Sequence, residues 1–541
     1  MLRSVIPLVI YAAISLLIFG HGITPGGFFM FGGDSAAYVW FLKWWPFAIE
    51  HGINPFVTHY IWAPVGFSMM WANSIPTLAL LMSPVSALFG PVVSWNLLCL
   101  AAPVLNAWCA FVLLRYLFGR DIPAAIGGFI FGFSPYIGSH MLGHVSLTFI
   151  PIVPLIALVA VKRARGELAS ARFIALLTLL AVLQFGISME ILASTAFFGA
   201  VTYAAFLVMD REAADFGGLA RDVAIAGAVS AVILSPAFYF LYKGAAQLPD
   251  IINSPVTFSN DVISFFVPMR TIWLGGHWLE PFTSKLSGNA PEENGYLGIP
   301  LIVLGVIAAW NMRKENWARA LVVLIIFAAL MSMGPMLWIA GTPTYHRWPG
   351  AFMSLIPLLK HALPGRFAGY TALGVAVLLT AWMSRNPSWS RSAAVVVGAI
   401  FIIPNPSEYW WKVPQTPLVY SDSSSLQDLN SRGAVISLPF NYTDLSTMWQ
   451  VNADLGFKTV GGYIGFTPRY FEGSPVIDYL YGKNLPTDEE IFRRKVTAFC
   501  ADAKAGSIVI GPGTPPALVT LLHGLGWPTR AVGDSEVLSV Q

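Results

Sequence analysis

Phe31-Gly32-Gly33-Asp34-Ser35-Ala36-Ala37-Tyr38-Val39-Trp40-Phe41-Leu42-Lys43-Trp44-Trp45 follows directly on the first hydrophobic run of the chain. The glycine pair frees the backbone, Asp34 supplies one carboxylate, and the aromatic segment behind it suits a helix lying on a membrane surface. An acid held at a membrane–water boundary beside such a helix is well placed for chemistry on a lipid-borne substrate. The ordinary alternative is that Asp34 caps a helix beginning near Ser35; the two roles are compatible.

The rest of the composition agrees with a membrane setting. Of 541 residues, 56% are hydrophobic and only 11% charged, against roughly 25% charged in a soluble domain. Mean hydropathy is +0.65. The formal net charge of +3, with no basic run, argues against nucleic acid as a partner. Three cysteines without a Cys-x-x-Cys or Cys/His pattern argue against disulfides and structural zinc. Met1-Leu2-Arg3 opens an apolar run with no small-residue cleavage site behind it, so a retained first helix is expected.

Apolar runs long enough to span a bilayer recur over residues 3–20, 92–117, 122–139, 147–162, 170–187, 189–208, 220–242, 296–311, 318–339, 367–384 and 391–405. Residues 76–90 read as a juxtamembrane or re-entrant helix, which makes the expected count about eleven. The basic clusters Arg115/Arg120, Lys162-Arg163-Ala164-Arg165, Arg211/Arg221, Arg313-Lys314/Arg319 and Arg385/Arg391 then fall in alternate short loops, which places those loops in the cytoplasm. The N-terminus is cytoplasmic on this reading. All nine histidines and the long loops 21–91, 243–295 and 340–366 lie outside. After Pro404-Asn405-Pro406 the composition shifts: residues 412–541 hold 22 of the chain's 59 charged residues. Ala434–Leu438, Ser507–Ile510 and Glu536–Val540 read as buried strands and Pro515–Leu525 as a helix. The expected organisation is a polytopic α-helical membrane domain over 1–411, followed by a small soluble extracytoplasmic α/β domain over 412–541.

Several residues outside the Asp34 stretch are suited to chemistry. Glu190 sits at an outer turn, and a carboxylate at membrane depth marks a functional site unless the following helix N-terminus merely stabilises it. His140 and His144 share one face at helical spacing, but two ligands do not make a metal site. Glu292-Glu293-Asn294-Gly295-Tyr296-Leu297-Gly298 stands just before a span, and Ser259-Asn260-Asp261 opens a preceding outer segment; Glu292 reads as a solvated loop residue. Lys360-His361-Ala362-Leu363-Pro364-Gly365-Arg366-Phe367 is the best anion site, since Arg366 at a helix mouth matches a phosphate bidentately. Arg270 and Arg347 are weaker versions of it. Interfacial snorkelling is the alternative for each arginine. No Walker A, Gly-x-Gly-x-x-Gly or Gly-x-Ser-x-Gly pattern occurs. An outward-facing enzyme without nucleotide needs a substrate that is already activated.

This layout is similar to the GT-C superfamily of polyprenyl-phosphate-dependent membrane glycosyltransferases, and more narrowly resembles the YfhO-like bacterial membrane proteins. The residues that carry the likeness are the Asp34 loop, Gly143-His144, Ser259-Asn260-Asp261-Val262-Ile263-Ser264-Phe265-Phe266-Val267-Pro268, Asn294-Gly295-Tyr296-Leu297-Gly298, Leu363-Pro364-Gly365-Arg366-Phe367 and Val460-Gly461-Gly462-Tyr463. The outer loop after the third span, where such enzymes often carry a second acid, here offers His140 and His144. The resemblance implies a multi-pass protein of the bacterial inner membrane with a periplasmic or extracellular C-terminal domain. It implies inverting transfer of a sugar from a polyprenyl-phosphate donor to a lipid or glycan acceptor of the envelope, with Asp34 as general base and Glu190 as a second catalytic acid or orienting group. Arg366, helped by Lys360 or His144, would stabilise the leaving phosphate. His140, Asp261, Glu293 and Asn294 would bind substrate. The aromatic helix 36–50 would hold the isoprenoid among membrane lipids, and the C-terminal domain would cover the cleft. No cofactor is demanded and no metal ligand set is evident, although a divalent metal is compatible. The alternatives are a lipid or glycolipid transporter and a non-catalytic scaffold for envelope assembly.

Overall fold

The computed structural model describes all residues except 1, 31, 211–214, 250–251, 357–358 and 441–444, and only the backbone of 2–4 and 354. Arg211, expected in a cytoplasmic loop, lies outside the described residues. Helices form where the apolar runs are. Pro91–Phe118, Asp121–His140, Val145–Ala164, Met189–Met209, Phe216–Ile233 and Pro364–Arg385 are long and apolar enough to cross a membrane. Val5–Phe19, Ser170–Phe185, Ile299–Asn311, Asn316–Ser332 and Trp389–Ile400 occupy the remaining five expected runs but are shorter. Length alone qualifies six crossings among the described residues; the eleven expected require the five shorter helices to cross as well. The ambiguous stretch 76–90 forms two short helices, Pro76–Leu81 and Ser83–Phe89, neither of which can cross.

The chain divides into two compact units. The first comprises 1–23, 96–234 and 253–410 and holds most of the apolar helices. Here Ala368–Arg385 packs against Asp121–Gly132, Asn316–Ser332 and Ile299–Asn311. Small residues allow the approach: a Cβ on Gly127 would lie 3.3 Å from the Ala376 carbonyl oxygen, the kind of contact that lets helices associate without a hydrophobic drive. By contrast, only 17% of the spans Met189–Met209 and Phe216–Ile233 is buried. Their bare faces are apolar, with Val208 83% and Val232 73% exposed. Water does not favour such faces over this length, and lipid does.

The second unit comprises 24–95, 235–252 and 411–541. The first outer loop and the C-terminal segment are thus one body, not an appendage of the membrane domain and a separate domain. Phe28–Phe29 pairs antiparallel with Trp411–Lys412. Ala434–Leu438 lies parallel to Ala505–Ile510, which pairs antiparallel with Ser535–Ser539, itself antiparallel to Thr529–Val532. The helices Ser423–Arg432, Glu489–Asp502 and Pro516–His523 accompany this sheet. Three of its four strands and the last helix fall where the sequence places them. Thr529–Val532 was not expected, because it is an edge strand with mostly exposed residues and no apolar run marks it.

Gly33–Glu50 is the core helix of the second unit. Thirteen of its 18 residues are buried, so it does not lie on a membrane surface. Its indoles find partners inside the protein: Trp40 Nε1 donates to Gln450 Oε1 (3.0 Å), Trp44 Nε1 to the Pro55 carbonyl (2.9 Å) and Trp45 Nε1 to Ser74. Trp40 and Trp44 stack at 5.2 Å and neither is exposed. Truncating either would cost about 3–5 kcal/mol.

Candidate functional site

Within the second unit, Asp34 stands in the first turn of Gly33–Glu50, and the helix cap is Gly32. The helix starts earlier than expected, so Asp34 is not the cap. Its carboxylate sits at the positive end of the helix dipole and is half-buried. The Tyr463 hydroxyl donates a hydrogen bond to it.

The first unit carries a different constellation, centred on Arg366. The turn Pro364–Phe367 leads into the helix Ala368–Arg385 and presents this guanidinium. Its Nε donates to Glu292 Oε2 (3.0 Å) and its Nη2 to Glu292 Oε1 (2.6 Å). Nη1 donates to Glu190 Oε2. Glu190 lies in the first turn of Met189–Met209, behind the Ser188 cap, and its other oxygen accepts from the Leu363 amide (3.2 Å). Gly365 makes the assembly possible: a Cβ there would lie 2.6 Å from the Glu292 carbonyl oxygen. Asn260, which the sequence reading passed over, ties the parts together. Its Nδ2 donates to the Gly365 carbonyl (3.0 Å), and its Oδ1 accepts from the Asn294 amide (3.1 Å).

Glu292 is therefore not a solvated loop residue. It is 3% exposed, and the guanidinium 74 residues along the chain compensates the burial of its charge. Burial disfavours its anion, but Arg366 outweighs that and holds the carboxyl down to about 2. Arg366 in turn is not an open anion hook, since two carboxylates occupy its fork.

His140 and His144 adjoin this cluster. His140 ends the short helix Pro135–His140 capped by Ser134, and the His144 amide donates to the His140 carbonyl (2.9 Å). The backbone turn keeps both rings on one side, 5.7 Å apart. Ligand atoms of His140, His144 and Glu292 lie within 4.8 Å of one another. His140 Nε2 meets Asn294 Nδ2 at 3.2 Å. His140 Nδ1 and Asn294 Oδ1 are buried without a hydrogen-bond partner. Two imidazoles and a carboxylate are a donor set for zinc or another transition ion. The sequence offered two of these ligands in plain view; the third was hidden in an ordinary Glu-Glu pair.

The other candidates are placed differently. Asp261 is fully buried, and its carboxylate accepts from the amides of Ile263 (2.9 Å), Ala340 (3.0 Å) and Gly341 (2.7 Å). It anchors the hairpin Met336–Ile339/Thr342–Arg347. Glu293 lies beside it, 2% exposed, and accepts from Ser287 Oγ (3.2 Å). Burial and the neighbouring Asp261 push its carboxyl up to about 8, against the hydrogen bonds it accepts. Lys360 is exposed, and no ion pair joins it to the Arg366 cluster among the described residues. Arg270 pairs with Glu408 (3.4 Å) and Glu280 (3.6 Å), and Arg347 is exposed on the hairpin.

Solved structures with a similar fold include an arabinofuranosyltransferase and an oligosaccharyltransferase. The arabinofuranosyltransferase AftD from Mycobacteria superposes with a TM-score of 0.62 at 13% identity, over 98% of this chain and 41% of that one. The chain thus spans about two fifths of that enzyme's length. The oligosaccharyltransferase AglB from Archaeoglobus fulgidus, solved with an inhibitory peptide and a dolichol-phosphate, gives 0.56 at 13% identity over 94% of this chain and 69% of that one. The Archaeoglobus fulgidus oligosaccharyltransferase with Zn and sulfate gives 0.53 at 14% identity, over 93% and 67%. At such identities the likeness shows a shared fold and nothing beyond it. No curated protein matches the chain. The family described as "Domain of unknown function (DUF6311)" matches residues 8–403, most of the sequence, and the chain belongs to that family.

Proposed function

We propose that the protein is a membrane glycosyltransferase that moves a sugar from a polyprenyl-phosphate donor to a lipid or glycan acceptor outside the cytoplasm. The observation that carries this reading is the fold it shares with two membrane glycosyltransferases over nearly its whole length. The narrower kinship with YfhO-like proteins rests on the short motifs alone. The eleven apolar helices all cross the bacterial inner membrane, with the N-terminus in the cytoplasm and the C-terminal segment outside.

Roles follow from the chemistry of each constellation. Asp34 is the general base. It takes the proton of an acceptor hydroxyl as that oxygen attacks the anomeric carbon, and the bond to the lipid phosphate breaks with inversion. An aspartate is a weak base, so placement makes it effective. In the first unit, Arg366 with Glu190 and Glu292 is the polar cluster that meets the phosphate end of the donor. With both histidines neutral it carries one net negative charge. His140, His144 and Glu292 would hold a divalent cation, which would supply positive charge beside a departing phosphate. Asn294 orients a sugar hydroxyl through its unpartnered oxygen. Glu293 and Asp261 hold the walls of this region, and Lys360 contacts lipid phosphate from the surface.

The test is purified wild type and Asp34→Asn incubated with a panel of polyprenyl-phosphate sugars, with and without envelope lipids. Lipid-phosphate release by wild type and near-complete loss in the folded variant are expected. Equal release by both would remove Asp34 from the chemistry. No release with any donor, together with labelling of cluster residues from both membrane sides, would favour a transporter.

A further inference from the structure

The C-terminal segment reaches Asp34 through one short, tightly held stretch. Residues 459–463 run alongside 60–63. Thr459 N donates to the Tyr60 carbonyl (2.9 Å), Ala63 N to the Thr459 carbonyl (3.0 Å) and Trp62 N to the Gly461 carbonyl (2.8 Å). Gln450, buried and on the same segment, donates to the Tyr60 carbonyl (2.8 Å) while accepting from Trp40 of the Asp34 helix. The seam admits no side chain at Gly462. Its φ is +115°, and a Cβ there would lie 2.8 Å from Ile61, so only glycine passes. The next residue is Tyr463, and its half-buried hydroxyl donates to the Asp34 carboxylate. Tyr38, one helical turn after Asp34, and Tyr481 are the other titratable groups that face this phenol.

We propose that Tyr463 is the positioning residue for Asp34: the seam over Gly461-Gly462 delivers its phenol, which holds the carboxylate in one orientation. The C-terminal segment is then a constituent of the acid's site and not a detachable cover. This rests on the reading of Asp34 as general base. Burial and the Asp34 charge both push the phenol's ionisation upward, which provides a probe independent of catalysis.

The test uses the full chain with 3-fluorotyrosine at position 463, followed by 19F NMR across pH, in wild type and Asp34→Asn. Kinetics of Tyr463→Phe accompany it. The expected result is a phenol that titrates at lower pH in Asp34→Asn, with kcat reduced about tenfold in Tyr463→Phe and KM unchanged. A structural role alone would move KM and thermal stability as well. A 19F titration indifferent to Asp34→Asn overturns the proposal whatever the activity. A titration that moves while Tyr463→Phe keeps full kcat overturns the positioning role and leaves only a contact. A titration that moves in a wild type inactive with every donor overturns the glycosyltransferase reading, and the catalytic role of Tyr463 falls with it.

Discussion

Buried Arg163 and half-buried Arg366, both in the first unit, invite comparison. Arg163 donates to Asp222 (2.6 Å) and Asp215 (3.2 Å); Arg366 donates to Glu292 and Glu190. Each joins elements far apart in sequence. The first knot is closed. Arg221 pairs with the second face of Asp222 (2.9 Å), so two cations meet two anions. Asp215 also caps its helix by accepting from Gly218 N, and it is 56% exposed. The second knot is open in charge: one guanidinium faces two carboxylates, two histidines adjoin it, and two buried polar atoms lack partners. A brace between helices needs only the first arrangement. The second persists at the cost of desolvated, unbalanced charge, which is the signature of a site that something else completes.

Breaking the arginines gives the largest contrast. Arg366→Met leaves the buried Glu292 and the half-buried Glu190 without their cation and is expected to cost about 3–5 kcal/mol, visible as loss of folded protein in detergent. Arg163→Met leaves Asp222 with Arg221 and Asp215 with water, and lowers the unfolding temperature far less. Equal losses would erase the distinction. Glu292→Gln sharpens it: the excess charge disappears and one amide oxygen still accepts from Arg366, while the NH2 faces a guanidinium N–H and loses the second bond. Stability is expected to fall by about 1–3 kcal/mol, less than in Arg366→Met, with transfer activity down about 100-fold; Asp215→Asn is expected to leave activity intact.

The open knot also predicts a cation. Protein dialysed against zinc or manganese should retain about one equivalent by elemental analysis, and His140→Ala or Glu292→Gln should retain none. Metal that persists in both variants would place it elsewhere. The smallest effect concerns pH. Glu293 is protonated in the folded chain up to about 8, well above an unfolded glutamate, so the native state binds the extra proton across that interval. Its contribution is complete below the unfolded value and is lost as pH rises through the folded one. Glu293→Gln should therefore unfold about 2–5 °C higher than wild type at pH 9 and match it near pH 4. The same gap at both values would show that Glu293 is not protonated.

Legibility in the sequence varied with the range of the interaction. Glu190 and Arg366 were singled out because a charge at a span boundary is conspicuous. Their union, across 176 residues, was not, and each was read as facing a substrate. Glu292 reads from the sequence as a solvated residue of the loop just before a span; only the fold sets it against Arg366. The aromatic helix was read as amphipathic, yet Trp40 finds its acceptor 410 residues away.

Neighbouring residues suffice for the set of apolar runs, their order, the charged C-terminal segment with three of its strands, and the residue types on which chemistry could rest. Those features are local: a hydrophobic run, a period of two, or a proline writes itself in neighbouring positions. Which charges meet, and that the first outer loop belongs with the last 130 residues, emerge with the folded chain alone. Pairings of this kind depend on burial, because a carboxylate chooses between water and a guanidinium according to whether water can reach it. No local pattern records that access; it exists only once the chain has closed around Arg366 in one unit and around Gly33–Glu50 in the other.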